Sequence, residues 1–308
     1  MSSVIVGIHG LANKPDKQTL TEWWEAAIRE GLEKSCGVRD AQFEYIMVYW
    51  ADLLYKYHQH QDPDFDFDDL HNEQVYAPAA PGALRKYKER WLDDARAAVS
   101  SPGGAALDRV RGYIGVGAVA DWILDRKLKD LAYYYDANRR LRARDGQMRQ
   151  AQRVLTDELM NVLLPLKGRR IMLISHSMGT IISYDVLRDL GRRDRDFPVH
   201  HYVTIGSPLG MPHAKANIHR ERGYAREPVR TPTVVTERWV NYADRRDPVA
   251  IDTHLRDDFG ENDAGVRVED DIVINDYVSP RGDKNSHKSY GYLRTPELSE
   301  HIRDFLGA

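Results

Sequence analysis

The sequence predicts an α/β protein: a mostly parallel β-sheet covered by helices on both faces, with an inserted helical cap. Three observations lead there. Short continuous apolar runs, at residues 4–8 and 171–174 above all, read as strands buried on both sides. Amphipathic stretches alternate with such runs, the pattern of strands joined by crossover helices. Each run also ends in a loop of small or chemically active residues, at the end of a parallel sheet where ligands gather.

Taken in order, residues 4–8 form the first strand and lead into His9-Gly10. Residues 19–34 follow as a helix whose apolar face is Leu20, Trp23, Trp24, Ala27, Ile28 and Leu32; Thr19 and Glu22 form a capping box, and Gly37 ends it. Residues 43–50 make a second strand. Between 51 and 147 the character changes, with an acidic loop at 62–69, a break at Pro81-Gly82, helical stretches, and aromatics including Trp91, Tyr113, Trp122 and Tyr133 to Tyr135. Residues 148–166 read as a helix, 171–174 as the central strand and 180–190 as the helix after it. Further strands are expected at 201–205, 237–242 and 272–278, and Thr295-Pro296-Glu297 opens a terminal helix with proline in its first turn. The expected division is therefore a core of residues 1–50 and 148–308, with 51–147 as the cap.

The composition narrows the function classes. With 308 residues, 42% hydrophobic and 30% charged, the chain suits one large globular domain carrying an insertion. A net charge of −3, with basic and acidic residues interspersed, gives no reason to expect nucleic acid as a partner. The single cysteine, Cys36, excludes an internal disulfide framework and fits a reducing compartment. The N-terminus enters a strand without a basic leader, so no signal peptide is expected. The least polar window, residues 112–124, is too short for a bilayer and contains Asp121. The expectation is a cytoplasmic protein without stable membrane insertion; the oligomeric state is not legible.

The most informative stretch is Ser175-His176-Ser177-Met178-Gly179, where a buried strand gives way at once to a helix. This is the sequence form of a nucleophile elbow, a strained turn that presents a serine hydroxyl and needs small residues two positions to either side. Ser177 is the candidate nucleophile. A serine hydroxyl needs a histidine to take its proton and a carboxylate to orient that histidine. In a fold of this type they should follow in the order acid, then histidine. Asp247, in Asp247-Pro248-Val249, is the favoured acid, with Asp244 as competitor. His287, between the last strand and the terminal helix, is the candidate base; His213, His219 and His254 precede the last strand, and His301 lies within the terminal helix. Backbone amides of Leu11 and Met178 are the candidate oxyanion donors, with Gly10 permitting close approach. His9 reads as a structural hydrogen-bonding residue, and Ser207 as a supporting or turn residue.

Together His9-Gly10, Ser175 to Gly179, Gly206-Ser207-Pro208-Leu209-Gly210, Asp247-Pro248-Val249 and Ser286-His287-Lys288-Ser289-Tyr290 resemble the α/β-hydrolase superfamily, particularly bacterial serine esterases and lipase-like proteins. The resemblance covers residues 4–50 and 148–305. It implies cofactor-free acyl transfer through an acyl-Ser177 intermediate, with a small-molecule ester or acyl compound as substrate. Two departures stand out: Ser175 replaces the usual glycine, and the insertion precedes the elbow rather than following the next strand. The expected activity is carboxylic ester hydrolysis. Action on lipid, phospholipid or thioester acyl groups, and a non-catalytic binding role, remain as alternatives. No metal is expected: the acidic loop at 62–69 lacks the glycine and terminal glutamate of a Ca²⁺ loop, and His58 and His60 are too close for helical zinc spacing.

Overall fold

The structure is a computed structural model that describes residues 2–62, 75–90, 134–221 and 229–308. Its centre is a six-stranded, all-parallel sheet flanked by helices, in the order β2-β1-β5-β6-β7-β8. The strands are β1 (Ser3–Ile8), β2 (Glu44–Val48), β5 (Arg170–His176), β6 (Val199–Ile205), β7 (Val235–Ala243) and β8 (Val268–Ile272). A separate antiparallel hairpin pairs β3 (Arg140–Arg142) with β4 (Met148–Gln150).

Alternation along each strand splits the core in two. Val4, Val6, Ile8, Leu173, Tyr202 and Trp239 pack with helices α2 (Ala151–Leu163) and α3 (Met178–Arg193) on one face. Ile5, Met172, Ile174, Val203 and Tyr242 pack on the other with α1 (Lys17–Cys36) and the terminal helix α6 (Pro296–Leu306). Two shorter helices, α4 (Pro212–Glu221) and α5 (Ser289–Leu293), follow β6 and β8. Leu20, Trp24, Ile28 and Leu32, at helical spacing on α1, are fully buried.

Sheet order singles out one point along the carboxyl edge. From β1 the chain steps outward to β2, returns to β5 beside β1, and then proceeds the other way through β6, β7 and β8. The connections leaving β1 and β5 therefore run in opposite directions from neighbouring carboxyl ends, the switch point at which open parallel sheets bind ligands.

Several local expectations are corrected. The α1 cap is Asp16, whose carboxylate accepts from the Thr19 amide at 3.0 Å and the Thr19 hydroxyl at 2.7 Å, so Thr19 lies inside the helix. Gly37 ends α1 in the left-handed conformation. The helix expected from 148 begins at Ala151, because Met148–Gln150 pairs with β3 across a turn at Gly146 (φ 82°). The last strand is Val268–Ile272 rather than 272–278. Its Glu269, Asp270 and Asp271 hide it from an apolar-run reading, yet they suit an edge strand: Glu269 pairs with Arg238, and Asp270 accepts the amides of Leu255 and Arg256.

Of the expected cap, residues 51–62, 75–90 and 134–147 are described, among them the 3₁₀ turns Ala51–Leu53 and Gln59–Gln61 and strand β3. The Tyr134 hydroxyl donates to Asp185 on α3 at 3.0 Å. The acidic loop beyond Asp62, Trp91, Tyr113, Trp122, Tyr133 and the glycines at 103–104 and 112–117 lie outside the described residues. Among the described residues, no helix is long and apolar enough to cross a membrane.

Candidate active site

Ser177 sits between β5 and α3 with φ 53° and ψ −127°, a conformation that costs a non-glycine residue about 1–3 kcal/mol. Tight packing enforces the turn. A β-carbon on Gly179 would lie 2.7 Å from the carbonyl oxygens of both Ile8 and His9, so only glycine lets α3 start this close to β1. Ser175, paired in register with Ile8 on one side and Thr204 on the other, is fully buried. The Ser177 carbonyl accepts from the Thr180 amide and hydroxyl, and the Ser207 hydroxyl donates to Thr180 Oγ1 at 2.9 Å, so Ser207 braces the elbow from the loop after β6.

The loops after β5, β7 and β8 converge. His287 Nε2 lies 3.1 Å from Ser177 Oγ, and His287 Nδ1 lies 2.9 Å from Asp247 Oδ2. All three residues are buried. An ionised carboxylate only accepts, so Nδ1 carries the proton and Nε2 offers its lone pair to the serine hydroxyl. Gly206 makes room for the pair: its β-carbon would fall 2.9 Å from Asp247 Oδ2 and 3.2 Å from His287 Nδ1.

The two candidate acids divide clearly. Asp247 Oδ1 accepts the Val249 amide at 2.7 Å, and its Oδ2 faces His287. Asp244 instead binds Arg246 through two oxygens, at 3.0 and 2.6 Å, and accepts the Asn275 amide at 2.6 Å. It braces the loop, and none of its described hydrogen bonds goes to His287. Of the other histidines weighed, His254 pairs with Thr253, and His301 is buried between His201 and Tyr242.

Three supporting residues escaped sequence reasoning. The Tyr292 hydroxyl donates to Asp247 Oδ2 at 2.7 Å and accepts the Asp244 amide at 3.0 Å. Burial, and then the adjacent Asp247 and Asp244 charges, push this phenol well above its ordinary pKa, so it stays protonated. Asn275 donates to the carbonyls of both Ser286 and Lys288 at 2.8 Å, gripping the loop on either side of His287. His176 donates through Nε2 to the His287 carbonyl at 2.8 Å, with the two rings 4.7 Å apart. No local pattern marks any of these roles; each depends on the meeting of distant loops.

The loop after β1 completes the site. A β-carbon on Gly10 would stand 2.6 Å from Ser177 Cβ, so the glycine clears the serine side chain itself. His9 Nε2 accepts the Trp50 amide at 3.1 Å, which puts the proton on Nδ1, and Nδ1 donates to the Gly10 carbonyl at 2.8 Å. That carbonyl and the Leu11 amide belong to one planar peptide and point opposite ways, so anchoring the first orients the second. Lys14 Nζ holds the Leu11 carbonyl, and Ala12 turns the chain with φ 66°. Met178 is the first residue of α3, where an amide has no acceptor within its own helix and the helix dipole favours negative charge. Among the described residues, no group of three or more His, Cys, Asp or Glu side chains is arranged to hold a metal ion.

No protein-family model matches the chain, and no curated protein matches it.

Proposed function

We propose that the protein is a serine hydrolase of the α/β-hydrolase type that cleaves carboxylic esters through an acyl-Ser177 intermediate. The observation that carries this reading is the unbroken chain from Ser177 Oγ through His287 to Asp247, at 3.1 and 2.9 Å, at the carboxyl edge of a parallel sheet. A strained serine at the start of a helix adds to it.

In this mechanism Ser177 Oγ attacks the ester carbonyl carbon while its proton passes to His287 Nε2. The resulting oxyanion is held by the amides of Leu11 and Met178. Asp247 keeps the imidazolium oriented and stabilises its charge without taking its proton. As the tetrahedral intermediate collapses, the ester C–O bond breaks and His287 gives its proton to the departing alkoxide. Water, deprotonated by His287, then attacks the acyl-enzyme, releasing the acid and restoring the serine.

The test is covalent labelling with a fluorophosphonate, joined to turnover of p-nitrophenyl esters from acetate to palmitate. The wild type should be labelled and Ser177→Ala should not, with turnover falling about 10⁴-fold or more. A well-folded wild type that neither labels nor turns over any ester would overturn the proposal in favour of a non-catalytic binding role.

A further inference from the structure

We propose that Tyr292 is a positioning residue of this site: by sharing Asp247 Oδ2 with His287, its hydroxyl limits the basicity of His287 and locks the carboxylate's rotation. The inference rests on the serine-hydrolase reading for its catalytic consequence, but the coupling itself is a property of the three side chains.

The geometry is over-determined. Asp247 Oδ1 is taken by the Val249 amide, and Oδ2 receives both the Tyr292 hydroxyl at 2.7 Å and His287 Nδ1 at 2.9 Å. With both oxygens engaged, the carboxylate cannot turn without breaking a buried hydrogen bond. The phenol is fixed in turn. Its ring is fully buried, its Cε2 stands where a β-carbon on Gly206 would meet it at 3.2 Å, and its oxygen accepts the Asp244 amide. One hydroxyl therefore ties together α5, the start of the acid loop and the acid itself.

The chemical consequence follows from competition for one oxygen. A second donor on Oδ2 draws charge density from it, so the carboxylate stabilises an imidazolium less than it would alone. His287 then remains neutral, and able to accept the serine proton, at a lower pH than without the tyrosine. Other charged or titratable groups on the elements packed here include Asp244 and Arg246 from the acid loop, His176 against the His287 ring, the buried Lys288 next to His287, and the Glu30–Arg294 pair joining α1 to the residue after α5. The described bonds to Asp247 Oδ2 come from Tyr292 and His287, and Tyr292→Phe removes the first of them.

The experiment follows the ring titration of His287 by NMR in the full-length chain. It compares wild type, Tyr292→Phe, and protein carrying 3-fluorotyrosine at position 292. In parallel, the fluorophosphonate labelling rate is measured against pH. Tyr292→Phe should raise the His287 midpoint, and with it the acid limb of labelling, by roughly half a pH unit. The fluorinated phenol is a stronger donor of nearly the same size and should move both the other way. KM for a p-nitrophenyl ester should change less than about twofold, because the tyrosine is fully buried and its hydroxyl bonds to Asp247 and the Asp244 amide. Midpoints that coincide in all three proteins would overturn the proposal, even if the phenylalanine variant melted earlier, since a packing role predicts only the melting change. If Tyr292→Phe fails to fold, the near-isosteric fluorotyrosine comparison decides alone. Midpoints that move in a wild type that never labels would uphold the coupling while refuting the hydrolase reading.

Discussion

At the residue scale, the candidate site separates the Ser177–His287–Asp247 chain from the groups that hold it in place. Asp247 and Asp244 lie three positions apart and are both buried, yet their carboxylates bind different groups. Asp247→Asn should disturb the His287 tautomer and reduce turnover about 10⁴-fold with little change in fold. Asp244→Asn should do the reverse: it weakens the bidentate contact to Arg246 and should lower stability by about 2 kcal/mol, with kcat/KM staying within roughly tenfold. Denaturant melts and ester kinetics on both variants would decide; equal kinetic losses would refute the division. Proximity of Ser177, Asp247 and His287 was legible because each follows a strand end in the order such a site needs. Tyr292, Asn275 and His176 were not, since their hydrogen bonds join loops with no sequence pattern in common.

At the element scale, glycines rather than charges bring the loops together. Gly10, Gly179 and Gly206 each stand where a β-carbon would strike Ser177, the β1 carbonyls or the Asp247–His287 pair. Gly10→Ala should push the serine side chain or the β1 loop aside, with labelling at least about 10²-fold slower and a stability cost of about 1–3 kcal/mol. A Gly10→Ala protein that labelled at the wild-type rate would mean that the loop yields without moving the serine. The glycines could be read as elbow and loop residues beforehand, but not the atoms they clear. Strand legibility followed burial. Strands β1 and β5, covered on both faces, announced themselves as apolar runs, whereas β8 at the edge carries three consecutive acids and was placed too late in the chain.

At the scale of the whole molecule, a second buried polar chain bears on stability. Tyr242 donates to His301 Nδ1 at 3.0 Å, His301 and His201 meet at 2.8 Å, and His201 Nε2 reaches Glu237 at 3.0 Å. One set of neutral tautomers satisfies the whole chain. Burial lowers the pKa of both histidines, that of His301 to about 3. The unfolded chain therefore binds protons at these residues near pH 6.5 while the folded state refuses them. Stability should be full above about pH 6.5 and should fall on acidification toward pH 3, by at most about 1.4 kcal/mol per pH unit for each histidine. Urea midpoints from pH 7 to 4 should show a shallower slope in His301→Gln; parallel slopes would exclude the histidine pair as the cause. The sheet order has a further consequence, for the chain as it is made. Strand β1 is synthesised first but sits inside the sheet, between β2 and β5, with Ser3 beside Arg170 and Ile8 beside Ser175. Until the elbow strand has left the ribosome, β1 has only β2 to pair with, and one of its edges stays open. Arrival of β5, the strand that ends in the Ser177 turn, is thus the event that covers the open edge of β1, and a nascent chain stalled before it should recruit chaperones that a finished one releases.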